Sequence, residues 1–187
     1  MKLAIVTGNP GKVREIELFF RNKLEVEHVP LTCPEFRDPD VSKIAMEKAR
    51  YAFQQLNRPL IVDDTAFYIE ALNGFPGPCA AYVLDTIGIE GILTLMKGGE
   101  NRRASFETAV AFADESGIKV FTGRVNGTIV HPRGHGGFGY DPIFEWDHRT
   151  FAEIPLEEKN RISHRGLALR ALAEWLVQEG RLRIHKD

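Results

Sequence analysis

Cysteine is nearly absent from this sequence: Cys33 and Cys79 are the only two among 187 residues. Two are too few for a disulfide framework, and they lack the CxxC pairing of a zinc site, so a reducing cytosol fits. Long apolar runs are missing as well. The longest, Cys79 to Leu84, and the opening MKLAIV are both too short for a membrane span or a signal-peptide core. Nor is there an excess of charge of one sign: 24 Lys and Arg face 26 Asp and Glu, a formal net charge of −2. Such a balance argues against a duplex-wrapping surface but leaves room for a local cationic pocket. Internal repeats, low-complexity tracts and Ser/Gly linkers do not occur. The expectation is a cytoplasmic protein with no membrane association and no stable nucleic-acid partner.

The composition is 43% hydrophobic and 27% charged, ordinary for a globular chain. At this length one domain, residues 1–187, buries roughly 70% of the surface of its unfolded chain. Lys2 to Val6 reads as a short strand that stops at TGNPGK, after which Val13, Ile16, Phe19 and Phe20 recur at helical spacing. Leu24 to Val29 alternates like a second strand, and Val41 to Leu56 carries an amphipathic helical stripe. Leu60 to Val62 reads as a buried strand reaching Asp63-Asp64, with a further extended segment over Phe67 to Leu72. Two short helical stretches follow, Tyr82 to Ile87 and Gly91 to Met96, and then two long strands, Arg103 to Ala113 and Lys119 to Val130. Leu156 to Ser163 leads into a last helix, with Ser163 as its N-cap. The pattern predicts an α/β fold.

Four segments carry chemistry, and each admits a plain structural reading beside the functional one. TGNPGK is not a P-loop, because only two residues separate Gly8 from Gly11 and Val13 follows Lys12. It still suits a phosphate: Asn9 can cap, Pro10 fits the first helical position, and outward-facing amides with Lys12 would hold an anion. The alternative is a capped helix with a surface lysine. For Asp63 and Asp64, strand alternation sends adjacent side chains to opposite faces, so one can ligate a metal while the other orients. Otherwise the pair is a solvated acidic turn. In GGFGYDPIF, Gly136 to Phe144, glycines interleave with Phe138 and Tyr140, either as a stacking loop for a planar base or as a tight turn with aromatic core plugs. EKNRISHR places Lys159, His164 and Arg165 near a helix start, where the dipole disfavours cations. A bound anion or a base carbonyl would account for them, as would a solvated helix start. His131 and His135 have a zinc-like separation without the cysteines to complete it.

The order TGNPGK, VDDTAF, FPGPCAAYV, GGFGYDPIF, EKNRISHR resembles the inosine triphosphate pyrophosphatase family, the HAM1-like proteins, along the whole chain. The resemblance implies a homodimer with an elongated mixed β-sheet, flanking helices and two lobes around a central cleft. It also implies hydrolysis of purine nucleoside triphosphates such as ITP, dITP and XTP to monophosphate and pyrophosphate with Mg2+. Matched by position, Thr7, Gly8, Asn9, Pro10, Gly11 and Lys12 would bind the triphosphate, with Lys48 on the phosphate side and Thr65 touching substrate. Asp64 would be proton acceptor and metal ligand, Asp63 its partner and Glu35 a second metal ligand. Phe138, Gly139, Tyr140 and Asp141 would serve base and sugar, with Lys159, Ser163, His164 and Arg165 at the base. One position departs from the family pattern: Ala66 stands where glycine is usual, and a positive φ there would strain it. Related pyrophosphatases for modified pyrimidines, or a non-catalytic nucleotide or RNA binder, are the competing readings.

Overall fold

The computed structural model describes residues 2–182. β1 (Lys2–Val6), α1 (Pro10–Phe20), β2 (Glu25–Val29), α2 (Val41–Leu56) and β3 (Leu60–Ile69) form two successive crossover units. They lay β2, β1 and β3 side by side in parallel, because parallel neighbours need a helix-length connection between them. β5 (Arg103–Asp114) and β6 (Gly117–Ile129) are a long hairpin added antiparallel to β3. Its two-residue turn is fixed by Asp114 Oδ1 accepting from Ser116 N at 2.8 Å, with Gly117 at φ 126°. β7 (Phe144–Trp146) and β8 (Arg149–Thr150) finish a mixed sheet ordered β2-β1-β3-β5-β6-β7-β8, while β4 (Pro76–Gly77) pairs with the far end of β3. α3 (Ala80–Leu95), α4 (Leu156–Ile162) and α5 (His164–Gln178) complete the elements. The expected mixed sheet with flanking helices is what the chain forms.

Alternation along the strands sorts the core. Leu3, Ile5 and Ile61 pack with Ile16, Leu169 and Leu172 beneath α1 and α5, whereas Ala4, Val6, Leu60 and Val62 face α2. The α2 side is built from small residues, Ala45, Ala49 and Ala52 against Ala109, Ala111 and Ala113, which lets the helix lie close on the sheet. At the antiparallel end, Phe67, Phe106, Phe144 and Phe151 pack with Val83 and Ile92 of α3 in a third cluster.

Two expectations are corrected. Leu60–Val62 and the later extended segment are one strand, because ten consecutive residues, Leu60 to Ile69, pair with Ala113 to Ala104 of β5. That ladder holds the polar Asp63-Asp64-Thr65 extended, and Glu70–Leu72 is then a 3-10 turn rather than strand. The two helical stretches after residue 80 form one kinked run, broken at Gly88, which has φ 64°.

Candidate active site

The start of α1 is tightly organised. Asn9 is extended, and its Oδ1 accepts from Gly11 N at 2.8 Å and Lys12 N at 3.2 Å. Val13 N donates to Asn9 O, Pro10 has no amide hydrogen, and Asn9 N donates to Thr7 Oγ1. The first-turn amides expected to face outward are therefore taken by the chain itself, because a good N-cap satisfies the same donors a phosphate would use. Positive charge at this end comes from Lys12 and the helix dipole. Gly11 is required for close approach: a Cβ there would stand 2.5 Å from the Phe138 ring. Behind the loop, the His28 ring nitrogen Nε2 donates to Thr7 O at 2.8 Å, and Gly8 lies exposed.

Strand alternation separates the two aspartates as expected. Asp63, on the Ile61 face, meets Lys12 and Arg165: Lys12 Nζ donates to its backbone carbonyl at 3.0 Å and lies 3.3 Å from Oδ1, while Arg165 Nε donates to Oδ2 at 2.8 Å. Burial by itself would raise the Asp63 carboxyl, but these two cations outweigh it and hold it below the usual range. Asp64 faces α2. Its Oδ1 accepts from Thr65 N at 3.1 Å, and Lys48 Nζ stands 2.6 Å from Oδ2. Asp64 Oδ2 therefore has the Lys48 ammonium as its close partner. Burial would lower the Lys48 ammonium, yet the Asp64 charge outweighs it and the group is raised. Glu35 Oε2 is 3.8 Å from Lys48 Nζ, on a side chain that is 86% exposed. Ala66 is fully buried against α2 and is not among the residues with positive φ, so the feared strain does not arise.

A divalent cation fits these residues. Among the described residues no group of three or more His, Cys, Asp or Glu converges, but magnesium commonly takes one or two carboxylates and leaves its other positions to water and phosphate. Asp64, whose side chain is 12% exposed, and the reachable Glu35 supply that number.

The cations at residues 159–165, read either as partners of a bound anion or carbonyl or as a solvated helix start, are buried against acids of the chain itself. Lys159 sits in the last turn of α4, where the dipole favours it, and donates to Glu15 Oε1 at 2.7 Å and Asp141 Oδ2 at 2.5 Å. Arg165 spends its guanidinium on Glu15, Asp63 and Thr65 Oγ1, the last at 3.0 Å. Lys12, Lys159 and Arg165 thus form a neutral set with Glu15, Asp63 and Asp141. Burial would raise Glu15, but Arg165 and Lys159 hold it low; burial dominates at Asp141, which is raised. Glu15 was missed by the sequence reading. Its signal is an acid on the buried arc of α1, four residues after Gly11 and beside Ile16. Ser163 caps α5, accepting from Gly166 N at 3.1 Å, as the sequence predicts. His164 is buried, stacked on Phe106 with ring centroids 4.5 Å apart, and burial together with Arg165 pushes its imidazole well below its ordinary value.

Phe138 is the ring both cations face, at 5.0 Å from Lys159 and 5.6 Å from Arg165. Its amide donates to Asp141 Oδ2 at 2.8 Å, which ties the loop to Lys159. Tyr140 is instead a core residue: it stacks on Phe67, and its hydroxyl donates to Ala80 O at 2.8 Å. Gly139, at φ 66°, turns the chain between the two rings. A cavity of about 450 Å³ opens beside Phe138, walled by Gly11, Arg14, Glu15, Ile154 and Lys159. Of TGNPGK only Gly11 lines this depression with the aromatic loop, while Lys12 turns to Asp63. Asp64, Lys48 and Glu35 lie on the other face of β3 and do not line it.

The sequence profile of the Ham1 family matches residues 3–175. A dITP/XTP pyrophosphatase of Methanopyrus kandleri is 50% identical over 180 residues, covering 94% of this chain and 96% of that protein. An inosine triphosphate pyrophosphatase of Emericella nidulans is 40% identical over 176 residues, covering 93% and 96%. The solved structure of a HAM1 protein from Coxiella burnetii superposes with a TM-score of 0.83 at 32% identity, over 95% of this chain and 99% of that one. Alike in sequence over most of its length and alike in fold, this chain belongs to the Ham1 family.

Proposed function

We propose that the chain hydrolyses deaminated purine nucleoside triphosphates, of the ITP, dITP and XTP class, to the monophosphate and pyrophosphate. The observation that carries this reading is the acid doublet of β3 with a lysine on each carboxylate, Lys12 at Asp63 and Lys48 at Asp64. Beside it, Gly11 in the first turn of α1 shares a cavity with the aromatic loop. The names of the relatives agree with it.

In this reaction water attacks the α-phosphorus, the bond to the bridging oxygen of the β-phosphate breaks, and pyrophosphate leaves. Asp64 takes the proton of the attacking water, and Asp63 holds Lys12 and Arg165 in place. Lys12 and Lys48 carry the negative charge that builds on the leaving group. Thr7, Gly8 and Asn9 shape the loop against which the phosphates lie. Mg2+, held by Asp64 and Glu35, would supply Lewis-acid polarisation of the phosphate oxygens. The purine lies in the cavity against Phe138, where its 6-oxo group accepts from Lys159, which lines the same cavity; Arg165 lies off the cavity and holds Glu15, and with it Lys159, in position. A donor in the cavity favours a 6-oxo group over the amino group of adenine.

The working unit is a homodimer: Phe75, Tyr82, Ile87 and Leu95, on α3 or shortly before it, are exposed large apolar side chains that a partner would cover. Light scattering should read twice the mass of the chain. A cytoplasmic location agrees with two unpaired cysteines and with no described helix long and apolar enough to cross a membrane.

Pyrophosphate release measured over the common and deaminated nucleoside triphosphates, with and without magnesium, tests the assignment. ITP and XTP should exceed ATP and GTP. In 18O-labelled water the label should enter IMP; label in pyrophosphate would refute attack at the α-phosphorus.

A further inference from the structure

The position between the two candidate metal carboxylates holds a positive charge of the chain's own. Lys48 Nζ stands 2.6 Å from Asp64 Oδ2 and 3.8 Å from Oε2 of the exposed Glu35, so one ammonium is within ion-pair distance of both acids. The contact with Oδ2 is a short ion pair, and the Asp64 charge is what raises the Lys48 ammonium. The lysine backbone is pinned: it sits mid-way along α2, and Cys33 Sγ donates to Lys48 O at 3.8 Å. Any movement is therefore confined to the flexible four-carbon stem.

A divalent cation and an ammonium cannot share these two carboxylates, since like charges a few ångströms apart in a half-buried site repel by several kcal/mol at an effective dielectric constant of about 20. We propose that Lys48 is a resident counter-ion, holding the place of the divalent cation between Asp64 and Glu35 until the cation displaces it and frees it for the substrate phosphates. The proposal rests on the reading of Asp64 and Glu35 as the metal carboxylates. Under it, Lys48 is a positioning residue with two stations, and arrival of the metal prepares the phosphate site. Without Lys48, Asp64 and Glu35 would have no cation between them, and Asp64 is buried.

The two stations predict effects of opposite sign. Calorimetric titration of Mn2+ into the nucleotide-free protein should show Lys48→Met binding the ion more tightly than wild type, by roughly five- to fiftyfold. KM for ITP at saturating magnesium should rise in the same variant. Lys48→Arg, which keeps the competing charge, should bind Mn2+ much like wild type. Unchanged or weaker Mn2+ binding in Lys48→Met overturns the proposal, since that is what a merely structural lysine would give. Lys48→Gln repeats the comparison if the methionine variant does not fold, with far-UV circular dichroism as the check. Mn2+ binding that survives Asp64→Asn overturns the metal-site reading itself, and the proposal with it.

Discussion

At the scale of single residues, the site is decided by which charges are buried and what compensates them. Asp64 is paired with one partly exposed lysine, Lys48, whereas Asp63 is fully enclosed between Lys12 and Arg165. Asp64→Asn should leave the fold intact by circular dichroism and lower kcat by about 10²–10⁴-fold, the usual worth of a general base. Arg165 is a different case, 1% exposed and bound to Glu15, Asp63 and Thr65 together. Arg165→Ala strands two buried carboxylates, so urea denaturation should show a loss of about 3–5 kcal/mol, and the preference for ITP over ATP should shrink. A variant that lost preference without losing stability would disprove the structural half of that role. Arg165 was legible in EKNRISHR as a cation needing a reason. The reason, three of the chain's own side chains from α1 and β3, was not, because Glu15 is 150 positions away in sequence.

Among elements, β3 and the start of α1 do most of the positioning. The strand's period of two was readable and correctly divides Asp63 from Asp64. Its length was not, since three polar residues in a row hide a strand whose extension is imposed by pairing with β5. TGNPGK was readable as a helix start through Asn9 and Pro10. What could not be read is that Asn9 consumes the amides a phosphate would need, or that Gly11 is small because Phe138 lies on it. Gly11→Ala should push the Phe138 ring from its seat, and fluorescence or calorimetric titration should find ITP bound at least tenfold more weakly, about 1.4 kcal/mol. Thermal stability should move far less, since the ring can yield towards the cavity beside it. Equal ITP affinity in the alanine variant would show that the contact is incidental.

For the whole molecule, buried ionisable groups couple the fold to pH. His164 is held neutral, its imidazole well below the ordinary value near 6.5 because of burial and the neighbouring cations. Below the unfolded value the unfolded chain takes a proton that the native state refuses, so stability falls as pH falls from about 7 towards 5, by at most about 1.4 kcal/mol per pH unit. Glu15 and Asp63, held low once Lys159, Lys12 and Arg165 outweigh burial, add a further loss as pH drops through the carboxylate range. Asp141, raised by burial, works in the opposite sense. Urea midpoints measured between pH 7.5 and 5 should show the first slope in the wild type and lose it in His164→Phe, which keeps the stack on Phe106 without a titrating group. The same slope in both proteins would assign the effect elsewhere.

Local pattern alone determined the alternation of strands and helices, the caps at Asn9 and Ser163 and the opposed faces of the aspartates. These depend on neighbours within a few residues, where backbone sterics and hydrophobic period act. Tertiary structure alone decided that Lys159 and Arg165 answer to Glu15 and Asp141, that Tyr140 is core while Phe138 faces the cavity, and that Lys48 rests on Asp64. Those partners come from different elements, and ion pairing in a low-dielectric interior depends on where folding brings charges, not on how far apart the sequence spaces them.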